Sequence, residues 1–151
     1  IKSLGNMIGY WKNPEATKEC MNDEGWFRTG DLGKFEGPFL YILDRVKDIV
    51  IRGGENIACP EVEGAIYEHD DILEACVFGI PDERLGEVLC AAIYLREKST
   101  LTIDELQSFL STRLASFKIP VIIKFYEDNL PRVGSGKFDK PSLRKQFIEN
   151  M

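Results

Sequence analysis

Leu73-Glu74-Ala75-Cys76-Val77-Phe78-Gly79-Ile80-Pro81-Asp82-Glu83-Arg84-Leu85-Gly86-Glu87-Val88-Leu89-Cys90-Ala91-Ala92-Ile93-Tyr94-Leu95 holds two apolar runs separated by a polar one. The runs over 73–78 and 88–95 read as strands joined by a polar loop over 81–87. Working outward, Pro60 opens a short helix through Tyr67 that puts Val62 and Ile66 on one face. On the other side, Thr102 and Glu105 have the form of a capping box, and Leu106, Phe109, Leu110 and Leu114 follow at helical spacing. Residues 122–126 give a third strand, a glycine-bearing turn follows over 133–137, and a last helix is expected over 142–150. Before Pro60, a short strand over 48–51 leads into a tight loop, Gly53-Gly54-Glu55-Asn56. Strands and helices in this order predict an α+β domain of roughly 105 residues, a small sheet covered by helices, with no internal repeat.

The stretch before Arg45 is different in kind, rich in turn residues and aromatics. Asn13-Pro14 followed by Glu15-Ala16-Thr17 reads as an N-cap and first-turn proline of a short helix. Residues 26–31 and 32–35 read as extended, and Glu36-Gly37-Pro38 turns the chain into a second extended run over 39–43. This predicts a hairpin at the edge of a larger β-structure, with too little apolar surface for about 44 residues to fold alone. The chain begins at Ile1 rather than Met, which agrees with a piece of something longer.

With 151 residues, 44% of them hydrophobic, the chain is long enough to bury a core without staples, and it is expected to be soluble. Its apolar runs fall well short of the roughly 18 residues of a membrane span. Lys and Arg number 19 against 25 Asp and Glu, and the resulting charge of -6 argues against nucleic acid or an anionic membrane as partner. Cys20, Cys59, Cys76 and Cys90 have no CxxC spacing and His69 is the single histidine, so no metal site is indicated. The four thiols read as reduced and mostly buried, His69 as a solvated loop residue, and the expected setting is cytoplasmic.

Three segments place charge beside sharply bending backbone. In Thr29-Gly30-Asp31 the carboxylate either caps a turn or accepts two hydrogen bonds from a vicinal diol such as a ribose. Asp44-Arg45-Val46-Lys47-Asp48 is either a solvated connection or a hinge with an anion-binding arginine. Leu130-Pro131-Arg132-Val133-Gly134-Ser135-Gly136-Lys137 is not a Walker loop, because Pro131 and Phe138 occupy the places where Gly and Ser or Thr are needed. It leaves a lysine on a glycine turn, able to reach a phosphate or carboxylate oxygen.

The order of these segments, with Gly25-Trp26-Phe27-Arg28-Thr29-Gly30-Asp31-Leu32-Gly33, Tyr41-Ile42-Leu43-Asp44-Arg45, Gly53-Gly54-Glu55-Asn56-Ile57, Pro60-Glu61-Val62-Glu63 and Gly136-Lys137, closely resembles the adenylate-forming (AMP-binding) superfamily. Its members are acyl-CoA synthetases, firefly-type luciferases and peptide-synthetase adenylation domains. The resemblance covers essentially the whole chain. It implies the C-terminal edge of a large N-terminal domain over 1–44, a hinge over 45–47, and a mobile C-terminal lid over 48–151 with a small mixed sheet.

The same resemblance implies the site. Asp31 matches the aspartate that binds the ribose hydroxyls, Arg45 a nucleotide contact, and Lys47 the hinge position. Lys137 matches the lysine that bridges substrate carboxylate and α-phosphate. Arg52, Gly53, Gly54 and Glu55 match the segment lining the thiol path. ATP, Mg2+ and CoA are the implied cofactors, with the metal not held by this chain. The implied partners are the N-terminal adenylation domain of the same chain, a small carboxylic acid, and a lysine acetyltransferase acting on Lys137. Ile51 stands where luciferases and coumarate ligases often carry lysine, which argues against a luciferase-type second half-reaction, and Phe138-Asp139-Lys140 resembles fatty and aryl acyl-CoA synthetases more than peptide-synthetase domains. The whole enzyme is thus expected to make an acyl-adenylate and pass its acyl group to CoA, and this piece alone to be inactive. The alternatives are the lid of a peptide-synthetase domain and a stand-alone interaction module.

Overall fold

Residues 1–149 are described by the computed structural model, and the chain falls into two units, Ile1–Lys47 and residues 48 onward, each taken by itself below. In the first, α1 (Pro14–Cys20) starts where Asn13 and Pro14 predict: the Asn13 side chain accepts the Ala16 N–H at 3.0 Å. β1 (Asp31–Glu36) and β2 (Phe39–Arg45) form an antiparallel hairpin about Gly37 and Pro38. β2 runs further than the sequence predicts, because Leu32 pairs with Asp44 and Asp31 with Arg45. Asp44 and Arg45 are therefore strand residues rather than part of a solvated connection, and Val46–Asp48 is a single 3-10 turn. The expected extension over 26–30 reduces to one isolated bridge between Met21 and Phe27, since Gly25 and Gly30 both have positive φ. No described residue of this unit is fully buried, and Phe35, Phe39 and Ile42 lie exposed.

The second unit is built on β5 (Ile72–Asp82) and β6 (Gly86–Leu95), paired antiparallel along their whole length. They are longer than their apolar runs because the ladder continues through Pro81 and Glu87. The connecting loop shrinks to residues 83–85, held by Asp82, whose carboxylate accepts the Arg84 and Leu85 N–H groups. Ahead of them, β3 (Val50–Arg52) and β4 (Glu55–Ile57) form a hairpin where a short strand and a loop were expected. Gly53 at φ +59 and Gly54 at φ +90 make its two-residue turn, the conformation such a turn demands and side-chain-bearing residues resist. β3 meets the start of β6 through Arg52 and Gly86, and β7 (Ile122–Tyr126) runs parallel to β6. The sheet is thus mixed and five-stranded among the described residues.

Both faces of the central hairpin are covered, which is why its strands read as continuous apolar runs rather than alternating ones. On one face Ala75, Val77, Leu89 and Ile93 pack with Val62 and Ile66 of α2 (Cys59–Tyr67) and Leu106 and Leu110 of α3 (Ile103–Ser111). On the other, Cys76, Phe78, Ile80 and Cys90 meet Leu143 and Phe147 of α4 (Lys140–Glu149), with the Phe78 and Phe147 rings edge to face at 5.0 Å. The capping box at Thr102 and Glu105 forms as the spacing predicts. α4 begins two residues earlier than expected because Asp139 caps it, accepting the Ser142 N–H at 3.1 Å. The expected end of that helix at Asn150 lies outside the described residues. α2 also closes the open edge of β5: the Tyr67 hydroxyl donates to the Ala75 carbonyl and accepts its N–H, and Glu63 accepts the Val77 N–H.

Among the described residues no cysteine forms a disulfide; Cys59, Cys76 and Cys90 are buried and Cys20 is half-buried. Burial pushes the Cys76 and Cys90 thiols up to about 12. His69 is not the solvated residue its polar surroundings suggest. It is half-buried, its ring edge to face with Phe109 at 4.9 Å and its Nδ1 accepting the Asp71 N–H. No helix among the described residues is long and apolar enough to cross a membrane.

Candidate functional site

The candidate residues lie on or beside three turns, each made by local chemistry. In the first unit, hairpin register sets Asp31 opposite Arg45, and their side chains form an ion pair of 3.4 Å between Oδ1 and Nε. Thr29 Oγ1 accepts the Asp31 N–H at 3.1 Å, and the Gly30 carbonyl accepts the Val46 N–H at 2.9 Å. The strand end is therefore fixed while the Arg45 side chain stays 65% exposed. A carboxylate with free lone pairs beside an exposed guanidinium can take a diol and an anion together. Lys47 follows in the 3-10 turn with its side chain exposed.

The second turn is the tip of the β3–β4 hairpin. The Gly53 N–H donates to the Leu85 carbonyl at 2.8 Å, and Glu87 accepts the Ile51 N–H at 2.8 Å, so the hairpin is tied to the β5–β6 connection and to β6. Gly53, Gly54 and Glu55 are exposed there. Arg52 is set apart from them: it is half-buried and its Nη1 donates to the Phe117 carbonyl at 3.2 Å, a contact within the fold.

The third turn carries Lys137. An antiparallel bridge between Arg132 and Phe138 closes it. Inside, the Val133 N–H donates to the Lys137 carbonyl at 2.9 Å and the Gly136 N–H to the Val133 carbonyl at 2.8 Å. Gly136 has φ +83, a left-handed conformation that a glycine takes without strain. Lys137 is exposed and makes no ion pair among the described residues. Lys140, three positions on, is held by Glu63 at 3.8 Å with its side chain 23% exposed.

Two charged residues at this turn escape a reading of the sequence. Arg132 donates through Nη1 to the Gly136 carbonyl and through Nη2 to Glu74 Oε1, both at 2.7 Å. Glu74 Oε2 accepts the Leu130 N–H, also at 2.7 Å. The one signal for Glu74 was a lone carboxylate in an otherwise apolar run.

Elsewhere, a cavity of about 790 Å³ lined by Ile8, Tyr10, Trp11 and Pro14 contains none of the candidate residues. Among the described residues no cluster of three or more His, Cys, Asp or Glu side chains is placed to hold a metal.

Fold and turns together define a small α+β domain that presents an exposed lysine on a hydrogen-bonded turn, preceded by a hairpin bearing an acid–base pair. The chain belongs to the AMP-binding enzyme C-terminal domain family, whose model matches residues 61–137. It is 43% identical over 142 residues to a feruloyl-CoA synthase of Amycolatopsis sp, covering 93% of this chain and 28% of that protein. Among solved structures, ATP-bound MatB from Rhodopseudomonas palustris superposes with a TM-score of 0.86 at 37% identity, over 93% of this chain and 28% of that one. The o-succinylbenzoate CoA synthetase MenE from Bacillus subtilis, in complex with the acyl-adenylate intermediate OSB-AMP, gives 0.84 at 37% identity over 97% and 29%. The chain spans less than a third of the length of each.

Proposed function

We propose that this chain is the C-terminal part of an ATP-dependent acid–thiol ligase. In the first half-reaction a substrate carboxylate oxygen attacks the α-phosphorus of ATP and pyrophosphate leaves. In the second, the thiol of CoA attacks the acyl-adenylate carbonyl and AMP leaves. Two anions meet in the first step, so a cation between them lowers the barrier. Lys137 is given that role, Asp31 the ribose hydroxyls and Arg45 the nucleotide. Mg2+ arrives with ATP and is held outside this chain.

The second step needs Lys137 withdrawn and a narrow path to the carbonyl, assigned to the turn at Gly53, Gly54 and Glu55, where missing side chains permit close approach. Arg52, bonded to Phe117, supports that turn from behind. Rotation about residues 45–47, with Lys47 as the hinge position between segments 1–44 and 48–151, supplies the two conditions in succession. The partner is the N-terminal adenylation domain of the same polypeptide. Four cysteines outside any disulfide suit a reducing, cytoplasmic setting. Acetylation of the exposed Lys137 would erase its charge, and intact mass with and without an acetyltransferase tests that.

The observation that carries the reading is an exposed lysine without an ion pair among the described residues, on a turn fixed by its own backbone, at the last matched position of the family model. A panel of carboxylic acids given to the intact enzyme with ATP tests it, followed by pyrophosphate release with and without CoA. Acyl-CoA formation on at least one acid is expected. Transfer to a carrier-protein thiol but never to CoA would favour the peptide-synthetase reading instead.

A further inference from the structure

A lysine on a glycine turn has a positioning problem. Residues 133–137 are all exposed, and the two hydrogen bonds inside the turn hold its shape without fixing where it points. What ties it to the rest of the fold is Arg132. One arm of its planar fork donates to the Gly136 carbonyl, the oxygen of the peptide unit that leads into Lys137, and the other to Glu74. Glu74 stands on β5 with its side chain 16% exposed and uses its second oxygen on the Leu130 N–H. The guanidinium also lies 4.3 Å from the Phe138 ring centre, a cation–π contact that adds to its hold. The chain of contacts therefore runs from the sheet through a carboxylate and a rigid guanidinium to the peptide immediately before the lysine.

We propose that Arg132, oriented by Glu74, is a positioning residue that aims the Lys137 ammonium for the adenylation step. The inference rests on the function proposed above. An ammonium swinging on a loose turn loses the preorganisation that makes a cation effective, and a displacement of about 1 Å can cost on the order of a hundredfold in rate. Arg132→Lys keeps the charge but lacks the fork that holds Gly136 and Glu74 at once.

Two measurements test this. In the 151-residue chain, Arg132→Ala should speed amide exchange at Val133 and Gly136 by about tenfold or more, with Val77 and Leu89 in the sheet unchanged; unchanged exchange at the turn overturns the proposal. In the intact ligase, Arg132→Ala and Arg132→Lys should slow adenylation by on the order of ten- to a hundredfold while sparing thiolation of a supplied acyl-adenylate. Glu74→Gln, which keeps an acceptor for Leu130, should fall between these and the parent.

The decisive arm is the double variant. Arg132→Ala should add almost nothing once Lys137→Ala is present, since it acts only through that side chain. An additive loss, an equal loss in both half-reactions, or full activity of Arg132→Lys overturns the positioning role. If Lys137→Ala by itself leaves adenylation intact, the function proposed above fails instead.

Discussion

Lys137 and Lys140 are three positions apart, and their surroundings separate them. Lys140 is enclosed and paired with Glu63, whereas Lys137 faces solvent on a turn fixed from behind. Asp31 can be judged by the same standard. It meets Arg45 at 3.4 Å and leaves carboxylate lone pairs for a diol. Losing hydrogen bonds from a charged group costs about 1.5–3 kcal/mol, so Asp31→Asn in the intact enzyme should raise the KM for ATP by roughly ten- to a hundredfold. The KM for CoA should not move. Steady-state kinetics with each substrate varied in turn checks this, and an unchanged KM for ATP would remove Asp31 from the nucleotide site. The bends at Asp31 and Lys137 were legible in the sequence because each residue sits beside a glycine, whereas the roles proposed for them came from the family resemblance. Glu74 was not, since a carboxylate within an apolar strand gives no sign of which distant N–H or guanidinium it will meet.

The starts of α1 and α3 were the most legible features, because a cap is decided within four residues. Thr102 accepts the Glu105 N–H, and Glu105 accepts the Thr102 N–H in return at 2.9 Å. That bond, with a second from the Thr102 hydroxyl, holds the Glu105 carboxyl below its ordinary value. A carboxyl whose folded pKa is depressed stabilises the fold above its unfolded pKa, and the contribution fades as pH falls through the folded one. Thr102→Ala should cost about 1 kcal/mol in urea unfolding at neutral pH. A wild-type midpoint in the variant would mean the cap contributes nothing. β4 was not legible, although Gly53 and Gly54 gave the turn signal. Its residues Glu55, Asn56 and Ile57 are a strand only through pairing with β3. Likewise the ends of β5 and β6 follow the ladder beyond the apolar residues, and α4 starts at the Asp139 cap rather than at its first apolar periodicity.

Across the whole molecule, the covered sheet sets the chemistry of its thiols. Cys76 and Cys90 point into the α4 face and have their pKa values raised from 9.0 to about 12 by burial. The unfolded chain gives up these protons first, so the associated stability is complete below pH 9.0 and drains away as pH climbs towards about 12. Urea midpoints should therefore fall steeply above pH 9.0, and iodoacetamide at pH 8 should label Cys20 well before Cys76 or Cys90. Rapid native labelling of either buried thiol would show an open core.

On the proposed function, this domain brings the adenylation cation to a site it does not itself contain. Lys137→Ala in the intact enzyme tests it most directly, with the two half-reactions assayed apart. Adenylate formation should fall by about a hundredfold or more, while CoA still accepts the acyl group from a supplied acyl-adenylate at close to the parent rate. Equal loss in both half-reactions, or adenylation at the parent rate, would rule out that role for Lys137.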